Sequence, residues 1–150
     1  MNFKIKKFSE LTPDELYEIL RIRNEVFIIE QTCIFQDCDE KDQKSYHLFC
    51  IDNGKIIAYL RILEKGVSYS EISIGRVLVD KKHRGKGLAR DILLKAIDFI
   101  ENNLNEKEIR ISAQNYLVDF YKSLGFSTAS DMYLEDGIPH IDMFYNNTIN

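Results

Sequence analysis

A chain of 150 residues and 17.6 kDa has the length of one domain and buries enough surface to fold without a metal or disulfide staple. Hydrophobic residues at 45% and charged residues at 29% exclude a disordered chain. A net charge of −4 and a pI near 5.4 argue against nucleic acid as a partner.

Phe3, Ile5 and Phe8, interleaved with Lys4, Lys6 and Lys7, read as a first strand. They form no signal-peptide block. Thr12-Pro13-Asp14-Glu15 reads as a helix start, with Thr12 as cap, Pro13 at the first helical position and Glu15 closing a capping box. Leu16, Ile19, Leu20, Arg23, Val26 and Phe27 keep helical spacing to about Ile28. Residues 30–46 lack periodicity and carry Glu30, Asp37, Asp39, Glu40 and Asp42; they predict an irregular loop of a length that often has a function. His47–Ile51 and Lys55–Leu63 flank Asn53-Gly54, a hairpin signal because both turn positions need φ > 0.

Ile72–Val79 reads as a further strand. A long helix follows Gly87, with Leu88, Ile92, Leu93, Ala96, Ile97 and Ile100 on one face. Ile109, Ile111 and Ala113 read as a strand, and Leu117, Phe120, Tyr121 and Leu124 as a short helix stopped by Gly125. Phe126–Leu134 and Ile138–Phe144 read as a closing hairpin over Asp136-Gly137. The order β-α-β-β-β-α-β-α-β-β is that of an α/β layer fold with a mixed sheet, in one domain over residues 1–150. Cys33, Cys38 and Cys50 form no disulfide framework. No run approaches the ~18 apolar residues of a membrane span. The expectation is a cytoplasmic protein without a membrane or nucleic-acid partner, either a monomer or a homodimer.

Chemistry concentrates where Val77-Leu78-Val79 runs into Arg84-Gly85-Lys86-Gly87-Leu88-Ala89-Arg90. Glycines let backbone N–H groups approach an anion, and the helix start adds unpaired donors and partial positive charge. Together with the local basic residues, this turn predicts a diphosphate cradle. It matches neither G-x-x-x-x-G-K-[ST] nor G-x-G-x-x-G.

The turn fits R/Q-x-x-G-x-G/A, with Ala89 as the permitted variant. On this motif, and on the downstream run Gln114 through Phe126, the chain resembles the GNAT superfamily of acyl-CoA-dependent N-acyltransferases. Many members carry Asn where this chain has Gln114. Val26–Gln31, Tyr59–Leu63, Ile74–Val77, Ala113-Gln114 and Glu135–His140 are similar to its ElaA-type branch.

The resemblance implies a mixed, mostly antiparallel sheet of six to seven strands, with helices on both faces and a splay between the two central strands. It implies that acetyl-CoA is a cosubstrate and that no metal takes part. Val77, Leu78 and Val79 would pair with the pantetheine arm as an added strand does, and the Val77 N–H would polarise the thioester carbonyl. Arg84, Gly85, Lys86, Gly87, Leu88 and Ala89 would hold the diphosphate, with Arg90 beside them, and Gln114 would bond the pantetheine or frame the splay. Tyr121 would protonate the leaving thiolate, since a phenol stays protonated at neutral pH. The acceptor would be a small-molecule amine or a peptide.

The motifs do not fix the base, for which Glu30, His47 and His140 are candidates. Arg61 and Arg76 each interrupt an apolar strand, and a buried arginine needs a partner. Antiparallel pairing would set them opposite each other. They would then share an anion from Glu30 or residues 37–42, or bind an acidic acceptor. Two other functions compete: a CoA-binding module without turnover, and metal binding through Asp37, Asp39, Asp42 and His47.

Overall fold

A computed structural model describes residues 1–148 of the chain. The N-terminal alternation forms β1 (Asn2–Lys7), and Phe8 falls in the 3-10 turn that follows it. The capping box opens α1 (Pro13–Arg23): the Glu15 N–H donates to Thr12 Oγ1 at 3.1 Å, and the Thr12 N–H to Glu15 Oε1 at 2.8 Å. Wider π-helical turns continue it over Asn24–Glu30, two residues beyond the expected end at Ile28. β2 (Ser45–Asp52) and β3 (Lys55–Leu63) form the hairpin over Asn53 and Gly54, whose φ angles are 50° and 75°.

β4 (Ser73–Val79), α2 (Leu88–Asn102), β5 (Glu108–Gln114) and the short α3 (Val118–Lys122) follow in the expected order. The strand expected over Phe126–Leu134 is two pieces, β6 (Ser127–Thr128) and β7 (Tyr133–Glu135), both paired with β8 (Ile138–Asn146). Between them the Asp142 N–H donates to Ser130 Oγ at 2.9 Å, so a side chain takes the bond that would extend the ladder.

The strands form two antiparallel sheets, β1-β2-β3-β4 and β5-β8-β6 with β7 on β8. A parallel bridge at Ile72 and Ile109 joins them, with the Arg110 N–H donating to Ile72 O at 2.9 Å. Beyond that bridge β4 and β5 part, which is the splay the resemblance implied. Strand alternation sends Leu48, Cys50, Leu60 and Ile62 to the face covered by α2, and Phe49 and Tyr59 to the face covered by α1. Ile92, Leu93 and Ile100 of α2 are fully buried on the first face, as Ile19 and Ile22 of α1 are on the second. No helix among the described residues is long and apolar enough to cross a membrane.

Candidate functional site

A cleft of about 890 Å³ opens where β4 and β5 separate. Val77, Leu78 and Val79 form one wall and Gln114 stands on the other. Tyr121 and the 84–90 turn lie along it, with Glu30, Arg61, Arg76 and His140 also in the lining. Lys86 is exposed and lies outside that lining, unlike the rest of the turn.

The β4 wall is broken by a bulge. Pairing passes from Tyr59↔Leu78 to Arg61↔Gly75, so Arg76 and Val77 together face Leu60. Arg61 therefore stands opposite Gly75 and not opposite Arg76 as expected. Arg76 is the inserted residue, at φ 52°. Ile72, Ile74, Val77 and Val79 all pack on the α2 side while Leu78 packs on the α1 side. Without the extra residue, strand alternation would turn the Arg76 side chain into the α2 core. The signal for this lies in the sequence, since apolar residues at 72, 74, 77 and 79 slip phase by one.

At the turn, Gly85 and Gly87 adopt φ of 81° and 79°, and Gly87 is the N-cap of α2 without a side-chain cap. The first N–H groups of α2 are thus left to an outside acceptor. Arg84 does not reach over the turn. Its Nε donates to Val79 O at 3.0 Å and its guanidinium pairs with Glu30 at 2.7 Å.

Tyr121 is buried and packs edge-on against Phe120 and Phe126. Its hydroxyl has no hydrogen-bond partner among the described residues. Burial first, and nearby Tyr116 second, push its phenol well above the ordinary tyrosine range. His140 Nδ1 lies 2.7 Å from Ile138 O, which makes Nδ1 the protonated nitrogen, and Nε2 is 3.4 Å from Glu135. His47 does not reach the cleft. It is fully buried between Tyr59 Oη at 2.7 Å and Asp42 O at 2.9 Å, and burial lowers its pKa. It drops out as a base.

The acids of the 37–42 loop are engaged by arginines, and the described residues contain no group of three or more side chains placed to hold a metal ion. Arg61 donates to both oxygens of Asp39, at 2.8 and 2.5 Å, and to Asp42 at 2.9 Å. Arg76 Nε donates to Asp37 Oδ1 at 2.9 Å, and its Nη2 reaches Asp39 at 3.4 Å. The sequence reading missed a third arginine. Arg23 has 0% exposure and bridges Asp37 at 2.9 Å and Asp42 at 2.7 Å. Burial works to raise the Asp39 and Asp42 carboxyls, but the guanidiniums outweigh it and hold both below the usual carboxylate range. Arg61 Nε is the buried side-chain nitrogen left without a partner among the described residues.

A second unforeseen network ties the other wall together. Tyr133 Oη bonds Ser112 Oγ and donates to Asp142 at 2.6 Å, and Asp142 also receives Tyr69 at 2.9 Å and Arg110 at 3.0 Å. No spacing pattern reveals it, because its members come from β5, β7, β8 and the loop before β4.

Comparison with known proteins shows the family and the fold. A family model described as an acetyltransferase (GNAT) domain matches residues 10–146. A UPF0039 protein of Schizosaccharomyces pombe is 39% identical over 145 residues, 95% of each chain. The protein ElaA of Escherichia coli is 36% identical over 137 residues, 90% of each chain. The crystal structure of an acyl-CoA N-acyltransferase from Pseudomonas aeruginosa superposes with a TM-score of 0.91 at 34% identity, covering 97% of this chain and 99% of that one.

Proposed function

The chain belongs to the GNAT acetyltransferase family, and from that premise we propose that it moves an acyl group, acetyl in the simplest case, from acyl-CoA to an amine. The observation that carries the reading is the splay. It exposes the edge of β4 at a bulge, with Tyr121 on one side and the glycine turn at its end.

CoA would lie along Val77–Val79, with its diphosphate at the start of α2. The amine nitrogen attacks the thioester carbon. The Val77 N–H receives the developing oxyanion, the C–S bond breaks, and the sulfur takes the Tyr121 proton. An unbonded phenol whose pKa is raised by burial suits an acid that must stay protonated until thiolate forms. The amine proton goes to His140 Nε2. A His protonated at Nδ1 keeps a lone pair there, and Glu135 would stabilise the resulting imidazolium. Glu30 is a weaker choice as base because its carboxylate is taken by Arg84.

Thiol release from acetyl-CoA, followed across small amines and peptides, tests the proposal. Amine-dependent release supports transfer. CoA binding with no release for any amine would leave a binding module instead.

A further inference from the structure

From the contacts of the 37–42 loop we propose that Asp37 and Asp39 are positioning residues for acyl transfer. They hold Arg76 in the left-handed bulge and so aim the Val77 N–H into the cleft. The inference rests on the proposed oxyanion role of Val77 and adds what sets that donor's direction.

Arg76 is neither glycine, asparagine nor aspartate, yet its φ is 52°, a region unfavourable for a residue with a Cβ. Such a conformation persists only where the surroundings over-determine it. Here the surroundings are on one side. Asp37 takes Arg76 Nε on Oδ1 at 2.9 Å and Nη2 on its backbone carbonyl at 3.1 Å, Asp39 adds a contact at 3.4 Å, and Phe35 lies against the guanidinium at 5.6 Å. All four contacts come from the irregular loop between α1 and β2.

That loop is itself anchored. Arg23 at the end of α1 and Arg61 on β3 hold Asp37, Asp39 and Asp42 from below. Three buried or half-buried arginines and three aspartates balance in charge. The network thus reads as a brace running from α1 and β3 through the loop to the bulge. An open anion site would leave a guanidinium unmatched.

The test compares Arg76→Ala, Arg76→Gly and Asp37→Asn. Alanine loses the clamp and keeps the strain, whereas glycine loses the clamp but accepts the positive φ freely. Removing one oxyanion donor costs about 10²–10³ in kcat. A misdirected donor should accordingly lower kcat by at least ~10-fold in Arg76→Ala, with the KM for CoA unchanged. Arg76→Gly should recover a large part of that loss, and Asp37→Asn should fall between wild type and alanine. Independently of turnover, the Val77 amide ¹⁵N shift should move in Arg76→Ala and stay near wild type in Arg76→Gly.

If both Arg76 variants raise the acceptor KM equally and leave kcat alone, Arg76 binds acceptor and the proposal falls. If they lower only the melting temperature, with kcat intact well below it, the brace is merely structural and the proposal falls. A wild type that releases no thiol overturns the function instead. In that case the Val77 shift decides the brace alone: similar shifts in the alanine and glycine variants overturn it.

Discussion

Tyr121 lines the cleft where its motif position led us to expect it, and its surroundings bear on the role proposed for it. Burial among Phe120 and Phe126 favours the protonated phenol, and no neighbour among the described residues claims its proton. Tyr121→Phe should lower kcat about 10²–10⁴-fold, the usual worth of a general acid, while CoA affinity measured by calorimetry stays near wild type. A kcat within twofold of wild type would make the side chain packing only. Arg23 was not legible. Its place among Leu20, Ile22 and Val26 is where a long side chain ordinarily reaches along a helix to water. Only the fold reveals that two acids arrive there from 14 and 19 residues away. Arg23→Met leaves the buried cluster with one aspartate too many. The loss should be about 3–5 kcal/mol, read as a lower urea midpoint.

Among the elements, the turns were the most legible. Asn53-Gly54 and Asp136-Gly137 both take the positive φ angles their chemistry suits, and Gly87 caps α2 at φ 79°. A Cβ at Gly87 meets nothing within 4 Å, so Gly87→Asp suffers backbone strain without a clash. Its carboxylate would stand where the α2 N-terminus is proposed to take diphosphate. CoA affinity should fall at least tenfold with the far-ultraviolet circular dichroism kept; an unchanged Kd would move the cradle elsewhere. The strand register was harder to read, because one extra residue in β4 changes every partner after it.

The 37–42 loop was recognised as irregular and acidic, but its ordering by arginines was not, since ion pairing has no period. It makes a pH prediction. The folded-state pKa values of Asp39 and Asp42 are depressed, so their contribution to stability is present above the unfolded value of about 3.9. It is lost as pH falls through the lower folded values. Asp39→Asn should therefore be less stable than wild type at neutral pH, with the gap closing as pH drops below about 4. Urea midpoints at pH 7 and pH 3 would check this, and an unchanged gap would contradict it.

At the scale of the whole molecule, two sheets are held at one bridge and open beyond it. The element order implied an α/β layer fold, and family resemblance supplied the splay. Periodicity alone could not, because a strand that leaves its neighbour keeps the same apolar alternation. The opening leaves an edge within a mixed fold, and an unpaired edge calls for another strand. The Asp80 N–H donates to Ile57 O at 2.8 Å, so by strand alternation the Val79 N–H and C=O point away from β3 into the gap. Arg84 covers that carbonyl, and no strand among the described residues covers the amide. Amide exchange should therefore be fast at Val79 and slow at Asp80 and Arg110, whose N–H groups are already bonded across β3 and the bridge. Saturating CoA should slow Val79 selectively if the pantetheine arm fills the gap as a strand would. It should also raise the melting temperature, since a ligand at 100 times its Kd adds about 2.7 kcal/mol to the folded state. Thermal stabilisation without slowing at Val79 would mean that CoA binds this fold outside the splay.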